Sequence, residues 1–147
     1  MRNFFILIVG FCFLASGCSK DQFAEDLLLI QDFLSDNNLT AQSTASGLHY
    51  IIHNQGTGGS PSITSEVTVL YTGSFLDGTV FDQTNGTPVT FDLAFLIPGW
   101  IEGLQLLEKN GQATLLIPSE LGYGSNPPPG FPKNAVLLFD ITLVNWN

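Results

Sequence analysis

The stretch IPGWIEGLQLLEKNG, residues 97–111, predicts a single helix inside a region that otherwise forms strands. Pro98 suits the first turn of this helix, because the N–H that it lacks would have no partner there. Gly111 suits the position at which the helix ends. Side chains at i, i+4 and i+7 give this helix an apolar face that can pack on a sheet: Trp100, Leu104 and Leu107.

On both sides of this helix the apolar residues recur with a period of two, which predicts strands. Asp77-Gly78 is a strong hairpin signal, because Gly accepts the positive φ that such a turn demands. The predicted strands are residues 48–53, 67–75, 79–82, 89–93, 112–118 and 135–146. One helix within an antiparallel strand series indicates an α+β fold, a curved sheet wrapped around that helix.

The N-terminus has the pattern of a secretory signal. Arg2 is followed by an apolar run over residues 4–14, too short for the roughly 20 residues that cross a bilayer, and by three small residues before Cys18. The spelling LASGC, residues 14–18, resembles a bacterial lipobox, which implies that Cys18 carries lipid. A plain signal peptide with a chance Cys stays open as the alternative. We therefore divide the chain into a lipoprotein signal peptide (1–17), an anchor, spacer helix and linker (18–46) and one domain (47–147).

Residues 21–37 predict an amphipathic spacer helix. Its apolar positions are Phe23, Leu27, Ile30 and Phe33 or Leu34, and its acidic positions are Asp21, Glu25, Asp26, Asp32 and Asp36. Two interpretations remain: the apolar face packs on the chain's own domain, or it docks on a partner. Residues 40–46 are polar and predict a linker.

The charge balance excludes nucleic-acid binding. Without the predicted signal, three Lys face thirteen Asp and Glu, a net charge of 3 − 13 = −10, which repels phosphate backbones. Membrane attachment would then depend on acyl chains rather than on a basic patch. The sequence has neither a Gly-rich phosphate loop nor a Gly-x-Ser-x-Gly elbow. His49 and His53 would stand about 13 Å apart along a strand, too far for one metal. We expect no metal and no cofactor.

Five short motifs occur in a fixed order: YTG (71–73), DGTVFD (77–82), IPGWIEG (97–103), IPSELGYG (117–124) and AVLLFD (135–140). Together they resemble the FK506-binding protein (FKBP) family of peptidyl-prolyl cis-trans isomerases over residues 47–147. The resemblance implies an FKBP-like curved antiparallel sheet around one short helix, preceded here by the spacer helix.

The resemblance also implies a pocket. Its catalytic residues would be Tyr71, Phe81, Asp82, Trp100, Tyr123 and Phe139, and its substrate-binding residues Val89, Leu96, Ile97 and Phe131. The Ile97 backbone N–H would meet a substrate carbonyl. Gly99 and Gly103 beside Trp100 predict open space at the cavity rim. A short loop after Phe81 and the run Pro127-Pro128-Pro129 depart from the family pattern, which affects substrate preference and the affinity for FK506 or rapamycin.

The implied function is isomerisation of X-Pro bonds in exported proteins, assisting folding in the cell envelope. The location would be the periplasmic face of a bacterial membrane or the outer-membrane surface, through the lipid anchor. Two alternatives stay open. The same pocket could hold proline-containing segments without accelerating them, or the spacer helix could recruit the protein to a larger envelope assembly.

Overall fold

The computed structural model describes residues 18–147. Within this described part of the chain two helices and seven strands follow one another: α1 (Cys18–Asp36), β1 (Gln42–Ser43), β2 (His49–Asn54), β3 (Glu66–Phe75), β4 (Val80–Gln83), β5 (Val89–Asp92), α2 (Pro98–Leu104), β6 (Gly111–Ile117) and β7 (Leu137–Trp146). Short 3₁₀ turns occupy Leu93–Phe95 and Ser119–Leu121. The predicted α+β class, with an antiparallel sheet on one short helix and a further helix before it, is confirmed.

The strands form one antiparallel sheet in the order β1-β2-β6-β7-β3-β4, with β5 also paired to β3. The longest strands, β3 and β7, lie side by side and pair from Val67 opposite Trp146 to Phe75 opposite Leu137. Because β4 and β5 both pair with β3, the hairpin after Phe75 and the strand before α2 share one border of the sheet.

Alternation along the strands gives the sheet two different faces. Leu115 and Phe139 are register partners in the main core with α2. The next pair, Leu116 and Leu138, points to the other face and packs in a separate cluster with Ile30 of α1. The two helices therefore cover opposite faces of the sheet, and the main core lies on the α2 side.

The spacer helix packs on the chain's own domain, as the intramolecular interpretation predicts. Ile30 is completely buried, and Phe33 and Leu34 are partly buried beside it. One acidic position departs from the amphipathic pattern, because Asp26 is completely buried. Asp26 lies three residues after Phe23 and four before Ile30, which puts its carboxylate within the apolar stripe.

Two expectations need correction. The central helix ends at Leu104 rather than near residue 110, and Leu107 is buried in the turn that follows. The predicted linker contains β1, in which Gln42 pairs with Tyr50. The predicted signal peptide lies outside the described residues, and lipidation of Cys18 stays a prediction. Among the helices of residues 18–147, none is long and apolar enough to span a membrane.

Candidate active site

An aromatic cavity of about 200 Å³ opens where the N-terminus of α2 meets β3, β4, β5 and β7. Its lining consists of Tyr71, Phe81, Asp82, Phe91, Leu96, Trp100, Tyr123, Phe131 and Phe139. Pockets for drug-sized ligands usually occupy about 300–1,000 Å³. The present volume therefore suits a single ring-sized group and its adjoining amide.

Trp100 forms the floor of this cavity and is only 5% exposed. Three rings stand nearly perpendicular to its indole: Tyr71 at 5.0 Å and 85°, Phe139 at 5.2 Å and 88°, and Phe91 at 6.1 Å and 84°. Its buried Nε1–H has no conventional hydrogen-bond partner within the described residues. The perpendicular rings around the indole allow only weak N–H···π contacts with this group. The floor of the cavity is therefore apolar apart from this N–H.

The two aromatic rings that form the cavity walls can stand where they do because β3 has a glycine, Gly73, beside them. A Cβ at Gly73 would lie 2.6 Å from Phe139 Cε1 and 2.7 Å from Phe81 Cε2. Only glycine leaves room for both rings, whose centroids are 5.5 Å apart at 82°. Phe131 closes this side at 4.9 Å from the Phe81 ring.

Polar groups stand at the rim rather than in the floor. The Tyr71 hydroxyl donates a hydrogen bond of 2.6 Å to Asp82 Oδ2. Burial above all, and then the hydrogen bond to Asp82 and its charge, raise the pKa of Tyr71 well above its ordinary value. Tyr71 therefore stays a neutral hydrogen-bond donor, and Asp82 fixes the direction of its hydroxyl.

Tyr123 also stands at the rim, on the loop between β6 and β7. Its side chain is 37% exposed, and its ring packs edge-on against Phe131 at 5.2 Å. Burial, and secondarily the charge of Asp82, raise the pKa of Tyr123. Its hydroxyl therefore remains protonated at neutral pH and can donate to a carbonyl of a bound ligand.

Ile97 lies at the lip, as the residue that caps α2. Its carbonyl accepts hydrogen bonds from the N–H groups of Trp100 and Ile101. Its own N–H donates no hydrogen bond among the described residues. A main-chain donor thus stands next to Leu96, which lines the cavity.

The structure brings most of the predicted site residues together. Those that line one cavity are Tyr71, Phe81, Asp82, Leu96, Trp100, Tyr123, Phe131 and Phe139. Val89 is 38% exposed at the border of the sheet and lies outside the lining, as does the Ile97 side chain. Phe91, which we did not select, lines the cavity instead.

The glycines beside Trp100 do not form the predicted cavity rim. A Cβ at Gly99 would lie 2.5 Å from Ile117 Cγ2, and one at Gly103 would lie 2.5 Å from Leu115 Cδ1. Both glycines therefore allow α2 to approach β6 closely. They set the depth of the Trp100 floor through this packing.

A larger open groove, of about 520 Å³, involves residues of β2, β3, β6 and β7 and the loop after β4. Most of its lining residues have polar side chains, among them His53, Thr72, Asn85, Asp140 and Thr142. The smaller cavity is the stronger candidate, because its rings converge on a buried floor with few polar groups at the rim. Size alone does not identify the site.

Few titratable groups stand at the cavity. Within residues 18–147, no group of three or more His, Cys, Asp or Glu side chains is placed to hold a metal ion. The titratable groups that line the cavity are Tyr71, Asp82 and Tyr123, and Tyr71 donates a hydrogen bond to Asp82. The arrangement can bind an apolar ring and orient the amide next to it.

Comparison with known proteins identifies the family. The profile of the FKBP-type peptidyl-prolyl cis-trans isomerase family matches residues 58–144. A probable FKBP-type peptidyl-prolyl cis-trans isomerase FkpA of Neisseria meningitidis is 49% identical over 119 residues, covering 76% of this chain and 43% of the relative. The outer membrane protein MIP of Legionella longbeachae is 43% identical over 103 residues, covering 68% of this chain and 44% of that protein.

The fold agrees with this similarity. The crystal structure of FkpA from Escherichia coli superposes with a TM-score of 0.76 at 33% identity, covering 87% of this chain and 62% of that one. The chain spans about two fifths of the length of the curated relatives it matches, 43% and 44% in the two cases given. On the matched motifs, the fold and the aromatic cavity, the chain belongs to the FKBP-type peptidyl-prolyl cis-trans isomerase family.

Proposed function

We propose that this protein catalyses cis-trans isomerisation of X-Pro bonds in polypeptide segments, with the aromatic cavity as its active site. The observation that carries the proposal is the Trp100 floor, which is 5% exposed and met by three nearly perpendicular rings. A proline ring fits such a floor, because it is apolar and carries no N–H that would need a partner. The amide to be rotated then lies at the rim, between Ile97 and Tyr123.

The chemistry needs stabilisation of a twisted amide and no covalent step. Rotation of the peptide bond crosses a barrier of about 18–20 kcal/mol, because the planar amide loses resonance. As conjugation is lost, the bond loses its dipolar character, and an apolar surrounding tolerates that state better than water does. A thousandfold acceleration requires only about 4 kcal/mol of such preference for the transition state.

The rim groups position the substrate. The Ile97 N–H and the Tyr123 hydroxyl donate to carbonyl groups of the bound chain and hold its flanking residues while the proline side stays on the floor. Asp82 acts through Tyr71, whose hydroxyl it holds at 2.6 Å. Because both tyrosines keep their protons, this mechanism moves no proton.

A protease-coupled assay on short X-Pro-Phe peptides tests the proposal. Wild-type protein should accelerate exchange, and Phe139→Leu, which removes a wall of the aromatic cavity, should lower kcat/KM. Thr142→Ala, in the larger polar groove, is the matched control and should leave kcat/KM unchanged. An inactive wild type that still binds the peptides would favour the holding function instead. Loss in Thr142→Ala alone would move the site to the other groove.

The substrates that we propose are proline-containing segments of exported proteins, met in the bacterial cell envelope. The support is the signal pattern of residues 1–17 with Cys18 behind it, and the name of the Legionella relative, an outer membrane protein. We propose accordingly that residues 18–46 serve as anchor, spacer helix and linker to the domain of residues 47–147, and that acyl chains on Cys18 hold the protein at the membrane.

Replacement of Cys18 tests the anchor. Cys18→Ser should move the protein from the membrane fraction to the soluble fraction and abolish incorporation of labelled fatty acid. Isomerase activity of the released protein should be unchanged, because α1 and the cavity do not depend on the lipid. Label retained in Cys18→Ser would rule the lipidation site out.

The family ligands FK506 and rapamycin offer a probe of the same cavity. We expect either drug to compete with peptide, because the aromatic walls are those that the resemblance implies. The tripled proline at residues 127–129 departs from the family pattern and is expected to weaken the affinity. A drug that binds Phe139→Leu as well as it binds wild type would place its site elsewhere.

A further inference from the structure

The spacer helix reaches into the loop that carries Tyr123. Asp26 of α1 is completely buried, and its Oδ2 accepts two hydrogen bonds from Ser119, one of 2.8 Å from the backbone N–H and one of 2.6 Å from the hydroxyl. Ser119 is itself 1% exposed and begins the loop between β6 and β7. A carboxylate is suited to this place, since it accepts hydrogen bonds and donates none.

A second side chain of α1 holds the far end of the same loop. Gln22 Nε2 donates to Asp26 Oδ1 at 2.8 Å, and Gln22 Oε1 accepts from Asn134 Nδ2 at 2.9 Å. Within the loop, Asn134 N–H donates to Gly124 O and Gly124 N–H donates to Ser119 O, each at 2.9 Å. These hydrogen bonds form a closed ring, the loop clamp, through Gln22, Asp26, Ser119, Gly124 and Asn134.

The loop clamp encloses two residues of the cavity. Tyr123 and Phe131 both lie between Ser119 and Asn134, and they line the cavity together. Residues 122–134 contain no helix or strand, so regular backbone pairing does not hold this part of the chain. Segments of this kind open at low cost unless other contacts hold them. The position of the Tyr123 hydroxyl therefore depends on how well the loop ends are fixed.

Helix packing alone does not explain Asp26. The position lies in the apolar stripe between Phe23 and Ile30, where a leucine would bury more apolar surface. Burial of a carboxylate is unfavourable unless hydrogen bonds compensate for the lost water. The side chain is thus better suited to holding Ser119 than to packing.

We infer that Asp26 and Gln22 are positioning residues of the active site, which fix the Tyr123 hydroxyl through the loop clamp. The inference rests on the proposed function, since it assigns the clamp's effect to isomerisation. It makes α1 a working part of the active site in addition to a spacer.

A double-mutant cycle with Tyr123 tests the inference in the full chain. Asp26→Ala should lower kcat/KM by about three- to tenfold, the loss expected when one hydrogen bond to the substrate is no longer held in place. In a Tyr123→Phe background the same change should cost less than about twofold, because the hydroxyl that it positions is already absent. Asp26→Asn should recover part of the activity, since an amide oxygen still accepts from Ser119.

The matched control is Asp32→Ala, which removes an exposed carboxylate from the same helix and should leave kcat/KM unchanged. The inference is overturned if Asp26→Ala costs the same factor in both backgrounds, because the loss would then be independent of Tyr123. Full activity in Asp26→Ala would also overturn it.

Hydrogen exchange gives a readout that does not depend on activity. In Asp26→Ala the amides of Gly122, Gly124 and Asn134, which are bonded within the loop, should exchange faster, while those of β7 and all amides of Asp32→Ala keep their wild-type rates. Unchanged loop exchange in Asp26→Ala would overturn the clamp itself. If the wild type lacks isomerase activity while loop exchange responds as expected, the proposed function fails and the clamp stands.

Discussion

Gly73 is the residue on which the width of the aromatic cavity depends. Gly73→Ala would place a methyl group within 2.7 Å of both the Phe139 and the Phe81 ring. We expect a loss of unfolding free energy of about 1–3 kcal/mol, typical of overpacking, and a lower kcat/KM because both walls must move. Urea unfolding and the isomerase assay measure the two effects.

Ser74→Ala is the control for this change, because the neighbouring side chain points to the other face of the sheet. It should leave both quantities near their wild-type values. If Gly73→Ala kept full activity, the two rings would not be the walls of the site.

Ionisation of the Tyr71 hydroxyl makes the free energy of unfolding depend on pH in the alkaline range. Burial, followed by the hydrogen bond and charge of Asp82, raises the pKa of Tyr71 in the folded protein above its ordinary value of 10.0. Above pH 10 the unfolded chain gives up this proton while the folded protein keeps it, and stability therefore falls as the pH rises further. Below pH 10 the contribution is fully present.

Tyr71→Phe should show a weaker decline of unfolding free energy between pH 9 and pH 11.5 than wild type. Some decline should remain, because the pKa of Tyr123 is raised as well and acts with the same sign. Urea unfolding at several pH values measures both slopes. Equal slopes would mean that Tyr71 does not carry the linkage.

The family resemblance selected eight residues that line the cavity, and their roles toward a substrate stay a prediction. The lining differs from the selection at Val89 and Phe91, which lie two apart in β5 and therefore share a face. Alternation cannot separate two such residues. Both pair with a buried valine of β3, Phe91 with Val67 and Val89 with Val69, yet only Phe91 lines the cavity and Val89 is 38% exposed.

Among the elements, α1 is the part whose contribution is easiest to isolate. Ile30 is completely buried against Leu116 and Val136, whereas Leu28 on the same helix is 61% exposed. Ile30→Ala should cost about 2–5 kcal/mol of unfolding free energy, the usual range for a buried aliphatic truncation. Leu28→Ala should change it by less than about 0.5 kcal/mol. Equally small effects in urea unfolding would show that α1 is not docked in solution.

Element boundaries were predictable where the local pattern is strict. β3 and β7 follow their alternation, but the end of α2 depends on distant contacts. The turn after Leu104 is held by a hydrogen bond from Glu108 N–H to Gln55 O at 2.9 Å and one from Asn110 N–H to Leu143 O at 2.7 Å. The spacing of apolar residues along a helix does not reveal hydrogen bonds to partners more than thirty residues away. Asp26 is different, because the sequence itself shows a carboxylate within the apolar stripe of α1.

At the scale of the whole molecule, the sheet separates the cavity on one face from helix α1 on the other. One face holds α2 and the aromatic cavity, and the other holds α1, whose polar side chains reach around to the loop with Tyr123. The α+β class followed from the period of the apolar residues, and the family followed from five short motifs in order. The loop clamp did not, because Asp26 and Ser119 are 93 residues apart in the chain.

The central claim is that an apolar floor, rather than an acid, base or nucleophile, accelerates the rotation. The most direct measurement compares kcat/KM of Tyr123→Phe and Trp100→Leu on an X-Pro-Phe peptide, after circular dichroism has shown both to be folded. Tyr123→Phe removes one hydrogen bond worth about 0.5–1.5 kcal/mol and should lower kcat/KM roughly three- to tenfold. Trp100→Leu removes the floor and should lower it by more than about tenfold. Complete loss in Tyr123→Phe together with full activity in Trp100→Leu would contradict the account.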